Sequence, residues 1–427
     1  MGWYSSQIDF VQAYPQAMAE TDLLYVEIPK GYKLPGASKG EYVLAVKKNI
    51  YVQKQAGRVW NQHLVSKLKS VSFEQSSVDD CVFYKGSVIF VVYVDDSIIA
   101  GPVQSEVEAA IEQIKQSGLT LTVEGDLADF LGVNIDRRSD GTIHLTQPNL
   151  IDFILDDLNL RGNNVNTKET PAKVKVLLKR HADAEPFDGS FHMRSVIGKL
   201  NYLEKSTRPD ISYAVHQCAR FIQDPKKPHG NAVRWLGRYL AGTRDKGIIF
   251  KPSGDSFACF VDADFVGNWD PQGDPRNDPD TARSRTGYVA TLAGCPILHA
   301  SKLQSVISIL SSESEFIALS TALRDIIPMM NLLNEMKDRG WDVPGTKPQV
   351  QCRIFEDNSG ALEMAVNEKF RLRTKHVNSN FHHFRSYVDD GSISVKPIRS
   401  ASQPADYMTK SLLADVMRAH RFTIQGW

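Results

Sequence analysis

The stretch IFVVYVDDSIIAG, Ile89 to Gly101, sets two apolar runs on either side of Asp95-Asp96-Ser97. Runs this short and this rich in Val and Ile read as strands and the polar step between them as a turn, giving a hairpin with two carboxylates at its tip. Asp and Ser are ordinary turn residues, which would be explanation enough in an isolated hairpin. These flanking strands, however, are too apolar for a peripheral hairpin, and adjacent carboxylates repel each other unless a cation lies between them. Asp9, in the run Gln7-Ile8-Asp9-Phe10, is the candidate third acid. Three carboxylates suffice to hold two magnesium ions, which activate a nucleophilic hydroxyl and stabilise a leaving pyrophosphate.

Working outward, residues 1–160 alternate short apolar runs with amphipathic stretches, the pattern of a mixed α/β or α+β domain. Strands are predicted at 23–28, 42–46, 88–94, 98–100, 132–136 and 144–146. Helices are predicted at 57–71, where Val59, Trp60, Leu64, Val65 and Leu68 share a face, and at 105–117. Residues 161–190, with Asn163-Asn164, Pro171, Pro186 and Gly189, read as a linker, followed by helices at 195–203, 211–222 and 232–240. A new strand begins at Phe257, and 267–285, heavy in Asp, Pro, Gly and Asn, reads as an exposed loop. Three regions are therefore expected: 1–160, a basic 161–255, and 256–427.

The 427 residues are 42% apolar and 23% charged, which excludes wholesale disorder and suits two to four domains. The longest apolar run stops at Asp95, well short of the ~20 residues needed to cross a bilayer, and no secretory signal precedes the first acid, so an intracellular protein without a membrane span is expected. Five cysteines without a C-x-x-C pair argue against a disulfide framework and a zinc ribbon. Fifty basic and fifty acidic residues cancel, but unevenly: residues 1–160 carry 13 Lys+Arg and 21 Asp+Glu, while residues 161–260 carry 18 and 9. A basic stretch flanked by acid-bearing regions suits a chain that holds a phosphate backbone while the acids act on it.

Asp9-x-x-x-Ala13-Tyr14, YVQKQAGRVWN (51–61), YVDD (93–96) and FLGVNI (130–135) occur in the order found in reverse transcriptases of copia-type retrotransposons, and the ordered set resembles that family. The resemblance implies a right-hand polymerase palm and thumb in which Asp9, Asp95 and Asp96 are the catalytic, metal-holding carboxylates. It implies that Tyr14 is an aromatic gate against the ribonucleotide 2′-hydroxyl, that Lys54 and Arg58 lie near template or nucleotide, and that FLGVNI is the primer grip. One departure is Val52, where the family usually has glycine, which bears on the local turn and on the placement of Lys54 and Arg58.

Four further acids sit in routine settings when taken singly. Asp262, with Asp264 on the same face of its strand, lies in FACFVDADF (257–265), and Glu315 in the helical SSESEFIALSTAL (311–323). Asp357 falls at the strand–helix junction of IFEDNSGAL (354–362), and Asp406 in the first turn of SQPADYMTK (402–410). Their order resembles the ribonuclease H domain of the same polyprotein, a mixed β-sheet domain that hydrolyses the RNA strand of an RNA–DNA hybrid. Carried over residue by residue, the ligands are Asp262, with Asp264 as its alternative, Glu315, Asp357 and Asp406, with Glu315 preferred to Glu313 because it precedes Phe316-Ile317-Ala318. RTKHVNSNFHHF (373–384) is a further hallmark, whose Arg373, Lys375, His376, His382 and His383 are expected to contact the hybrid or order the active-site loop. RSVIGKLNYLEKSTRPDISYAVHQCARF (194–221) matches the connecting region.

The expectation is an RNA-directed DNA polymerase with fused ribonuclease H. It would use two magnesium ions per site, manganese being the alternative, with RNA template, DNA primer, RNA–DNA hybrid and deoxynucleoside triphosphates as partners, in cytoplasmic particles or the nucleus. Only eight residues precede Asp9, where the family carries fingers. The alternative is therefore a truncated, decayed remnant that binds nucleic acid or acts as a nuclease alone.

Overall fold

The computed structural model describes residues 3–18, 24–32, 42–162, 164–270, 279–343, 350–366 and 383–427. Two compact units emerge, Met1–Leu131 with Asp338–Trp341, and Gly132–Lys337 with Asp342–Trp427.

In the first unit β1 (Tyr4–Phe10) is followed by the short helix α1 (Ala13–Gln16) and a small antiparallel pair, β2 (Leu24–Val26) and β3 (Leu44–Val46). Then come α2 (Ala56–Ser70), β4 (Glu74–Gln75), β5 (Val82–Lys85), β6 (Val88–Tyr93), β7 (Asp96–Gly101), α3 (Gln104–Gln116), β8 (Leu121–Gly125) and β9 (Asp129–Phe130). Six of the strands form one sheet in the order β4-β5-β6-β7-β1-β8. Alternation explains its buried face: Val88, Phe90 and Val92 of β6 and Ser97, Ile99 and Gly101 of β7 point inward. The core is closed by helical faces, with Trp60, Leu64 and Leu68 from α2 and Val107, Ala110, Ile111 and Ile114 from α3 packed on Ile8, Phe10 and Phe90.

The hairpin turn differs from the sequence expectation. Tyr93 pairs with Asp96, so the two-residue connection is Val94-Asp95 and Asp96 already belongs to β7. Asp96 is drawn into the sheet because it is paired on both sides, with Tyr93 and, across β1, with Asp9. Val94 takes φ 60°, a left-handed conformation that a β-branched residue adopts only when its surroundings force it.

The second unit opens with antiparallel β10 (Val133–Arg137), β11 (Ile143–Thr146) and, much later, β12 (Ile248–Phe250). Helices α4 (Pro148–Asp157), α5 (Met193–Ser206), α6 (Ser212–Ala219) and α7 (Lys227–Gly242) share one core, in which Ile151, Ile154, Leu155 and Leu158 meet Val196, Leu200, Val215, Leu236 and Leu240. Among the described residues of 161–190 there is no helix and no β-strand. Ion pairs follow the same packing: Asp152 accepts from Arg244 at 2.6 Å and from Arg161 at 3.0 Å, and Asp157 pairs with Lys199 at 2.8 Å. Part of the negative charge before residue 160 therefore neutralises part of the positive charge after it. Arg208 is fully buried against Asp210.

A five-stranded sheet follows, in the order β15-β14-β13-β16-β17, from β13 (Phe257–Asp264), β14 (Arg285–Leu292), β15 (Cys295–Leu303), β16 (Cys352–Glu356) and β17 (Ile393–Pro397). The pairs β13/β14 and β14/β15 are antiparallel, whereas β16 runs parallel to both β13 and β17. The remaining helices are α8 (Ser311–Asp338), α9 (Ser359–Val366), α10 (Arg385–Asp389), α11 (Asp406–Thr409) and α12 (Ala414–Gln425). By length and composition α8 could cross a membrane, but its apolar stretch is mostly buried within the fold and it carries Glu313 and Glu315, as a core helix can.

Candidate active sites

The first acid site is built by the sheet. Asp9 and Asp96 are cross-strand partners, and the Phe10 N–H donates to the Asp95 carbonyl at 3.0 Å, fixing β1 against the hairpin tip. From the helical side, Trp60 Nε1 donates to the Val94 carbonyl at 2.7 Å, so the turn that carries Asp95 is held by a buried indole. All three acids are half-buried. Burial first, then the charge of Asp95, raises the Asp9 carboxyl above its ordinary value. Burial, then Asp95, Asp9 and Asp129, does the same to Asp96. Negative charge thus accumulates at the hairpin tip without a basic side chain among these causes.

Tyr14, in α1, lies beside Tyr51 with ring centroids 4.7 Å apart, and the Tyr51 hydroxyl donates to Asp95 Oδ2 at 3.5 Å. Sequence reasoning assigned Tyr51 no role; its place at the head of YVQKQAGRVWN was the available signal. Lys54 and Arg58 are exposed, Arg58 on the outer face of α2. Val52 is fully exposed at φ 76°, the left-handed conformation in which glycine is the natural residue. FLGVNI runs through β9, a turn in which Leu131 and Gly132 are both left-handed, and β10.

The second site draws on four elements. Asp262 lies two residues before the end of β13, Glu315 lies in the first turns of α8, and Asp357 follows β16; one carboxylate oxygen from each comes within 4.8 Å of the others, the only such set among the described residues. Asp9, Asp95 and Asp96 do not converge this tightly. Glu313 is engaged otherwise, since its Oε2 accepts the Ile309 N–H at 2.8 Å at the start of α8. Asn358 Oδ1 caps α9 through the Gly360 and Ala361 N–H groups, so helix initiation does not need Asp357. Asp264 lies outside the set.

Asp406 also lies outside it. Its carboxylate meets Lys410 Nζ at 2.9 Å, and Lys410 reaches Asp262 Oδ2 at 3.9 Å. The Thr409 hydroxyl donates to the same Asp262 oxygen. Seating α11 this closely requires Gly287: a Cβ there would stand 2.5 Å from Thr409 Cγ2 and 2.7 Å from Met408 Cβ. Lys410 and Thr409 were missed in the sequence, although an acid and a lysine four apart are a readable pair.

Burial is the main cause that pushes Asp262 up to about 7 and Asp264 up to about 6. Glu315 rises to about 11 through burial and then the neighbouring Glu356, Asp262 and Asp357. Glu356, fully buried behind the set and also missed by sequence reasoning, is pushed by burial up to about 8. Glu315 Oε2 is buried without a hydrogen-bond partner. An orphaned carboxylate oxygen among mutually repelling acids is the environment a divalent cation would relieve, so the donor set fits a hard, oxygen-seeking metal. Of the residues in 373–383, His383 Nδ1 lies 3.5 Å from Ser320 Oγ, while Arg373, Lys375, His376 and His382 fall outside the described residues.

Residues 1–174 match the family described as reverse transcriptase (RNA-dependent DNA polymerase). The chain is 29% identical to the retrovirus-related Pol polyprotein from transposon TNT 1-94 of Nicotiana tabacum, over 95% of this chain and 29% of that protein. It is 31% identical to the corresponding polyprotein from transposon RE2 of Arabidopsis thaliana, over 96% of this chain and 27% of that one.

These similarities support a copia-type retrotransposon Pol.

Another similar protein of this kind is a putative transposon Ty5-1 protein of Saccharomyces cerevisiae, 28% identical over 71% of this chain and 95% of its own length. The chain spans little more than a quarter of the two plant polyproteins. A crystal structure of prototype foamy virus protease–reverse transcriptase aligns over 92% of this chain and 43% of its own, with 11% identity and a TM-score of 0.21.

Proposed function

We propose that this copia-type Pol chain is an RNA-directed DNA polymerase with a fused ribonuclease H. Residues 1–160 would form palm and partial fingers, 161–255 a thumb and connection, and 256–427 the nuclease. The observation that carries the reading is that the reverse-transcriptase match in residues 1–174 contains Asp9 and Asp96 paired on adjacent inner strands with Asp95 in the turn beside them, while Asp262, Glu315 and Asp357 converge from a strand, a helix and a strand end of the second unit.

In the polymerase site Asp9, Asp95 and Asp96 would hold magnesium. Magnesium, when bound, supplies activation of the attacking hydroxyl and stabilisation of the departing oxygen. The chain's own contribution is positional: Trp60 fixes the turn, Tyr51 steadies Asp95, and Tyr14 presents its ring beside them to exclude a 2′-hydroxyl. Lys54 and Arg58 are placed to meet template or nucleotide phosphates. In the nuclease site Asp262, Glu315 and Asp357, with Asp406 adjoining, would hold the divalent cation and orient a water toward the RNA phosphate. RNA template, DNA primer, hybrid and deoxynucleoside triphosphates are the partners this implies, in cytoplasmic particles or the nucleus.

A nuclease without polymerase activity is the second reading, favoured by the tighter convergence of the second set of acids. One paired assay separates the two. The chain is given a primed RNA template with deoxynucleotides and, separately, an RNA–DNA hybrid with labelled RNA, in magnesium and then in EDTA. Extension with cleavage, both abolished by EDTA, is the expected result. Cleavage alone would leave the nuclease, and neither activity in a folded chain would sink the proposal.

A further inference from the structure

Lys410 is more than a surface partner of Asp406. It is the residue four positions on in α11, as an ordinary helical ion pair requires, but its ammonium also approaches Asp262, which belongs to another element and is 3% exposed. Its side chain is itself more than half covered. Two acids from separate elements thus share one ammonium, 2.9 Å from Asp406 Oδ1 and 3.9 Å from Asp262 Oδ2, with Thr409 donating to the same Asp262 oxygen. Asp262 also closes, with Glu315 and Asp357, a three-oxygen set from which Asp406 is absent, and Glu315 Oε2 has no hydrogen-bond partner. A lysine ammonium is a compact point charge with three donors, suited to the place between two carboxylates that a cation would otherwise take.

We infer that Lys410 is a positioning residue that takes the place of the second cation, so that this site binds one divalent ion, at Asp262, Glu315 and Asp357, instead of two. The inference rests on reading these acids as the nuclease site. The ammonium neutralises Asp406, holds it toward Asp262 and denies a second ion the oxygens it would need. Removing the ammonium leaves Asp262 and Asp406 facing each other uncompensated, which opens a second ion position.

The test uses the full chain carrying Asp9→Asn, Asp95→Asn and Asp96→Asn, so that the first site is silent, and follows manganese binding by isothermal titration calorimetry. One ion is expected with Lys410 present, one with Lys410→Arg, which keeps the charge, and two with Lys410→Met. In parallel, the dependence of hybrid cleavage on magnesium concentration should change from first order to second order in Lys410→Met. Two ions bound with Lys410 in place would overturn the inference even if Lys410→Met failed to fold, and so would one ion in both folded chains. If Asp357→Asn leaves manganese binding unchanged, the nuclease-site reading itself fails, and that outcome is distinct from either of the others.

Discussion

Asp9 and Asp96 stand directly opposite each other on neighbouring antiparallel strands, β1 and β7. Backbone pairing therefore brings the first acid of the chain to the hairpin, and the register of that pairing is part of the site. A slip of one residue would turn Asp9 to the other face of the sheet, taking a carboxylate from the hairpin tip and burying a charge. The Phe10 N–H on the Asp95 carbonyl and the Trp60 indole on the Val94 carbonyl guard against that slip from two sides.

Two separate sites imply separable losses. Asp95→Asn with Asp96→Asn keeps side-chain volume and removes the charges, so primer extension should fall to background while hybrid cleavage persists. Asp357→Asn should do the reverse. Both activities are measured on the same folded preparations, checked by circular dichroism, and joint loss in either variant would contradict two sites.

Val52 is a β-branched residue at φ 76° with a fully exposed side chain, so its conformation is strained and its packing contributes nothing. Replacing it with glycine relieves a cost of ~1–2 kcal/mol for the left-handed conformation, less the ~0.5–1 kcal/mol entropic penalty of glycine. Val52→Gly should raise the urea midpoint of the first unit by the equivalent of ~1 kcal/mol. A lower midpoint would show that the valine side chain has a use this conformation does not reveal.

Much of the first unit was legible because its pattern is local. The Val and Ile runs around Asp95-Asp96 and the i, i+3, i+4 spacing of Val59, Trp60, Leu64 and Leu68 encode their elements without outside help. The turn was misplaced because β1, polar in Tyr4-Ser5-Ser6-Gln7, gives little strand signal, yet its pairing recruits Asp96 into β7. Charge counted by segment divided Asp152 and Asp157 from Arg244 and Lys199, partners that only packing brings together. In the second site Glu315 was preferred to Glu313 only through the family resemblance at the Phe316-Ile317-Ala318 step, and it is Glu315 that converges with Asp262 and Asp357. The ammonium of Lys410 was not legible, because its second partner, Asp262, lies far away in sequence.

If Tyr14 is the gate, its ring must act by bulk beside the acids, a position supported by its contact with Tyr51, which in turn bonds Asp95. Tyr14→Val should therefore raise ribonucleotide incorporation relative to deoxynucleotide by on the order of 10- to 100-fold in kcat/KM, the range a single steric contact commands. Primer extension with each nucleotide gives the ratio directly. An unchanged ratio with a general loss of rate would make Tyr14 a packing residue.

Glu204 is fully buried and links α5 to α6: Ser212 Oγ donates to it at 2.5 Å, His216 Nε2 lies at 3.1 Å, and Lys205 Nζ also lies at 3.1 Å. Burial alone would raise its pKa, but the His216 hydrogen bond, the Lys205 charge and the Ser212 hydroxyl outweigh burial and bring it down to about 2 from the ordinary 4.5. A folded value below the unfolded one means that the stabilisation is present in full above 4.5 and is lost as pH falls toward about 2. The size is ~3 kcal/mol, at 1.36 kcal/mol per pH unit of displacement. Glu204→Gln keeps the shape and an acceptor but not the charge, so it should lower the urea midpoint at neutral pH, and its deficit against the unsubstituted chain should shrink steadily below pH 4.5. A deficit of the same size at neutral and acid pH would assign the loss to packing around α5 and α6 and remove the carboxylate's charge from the account.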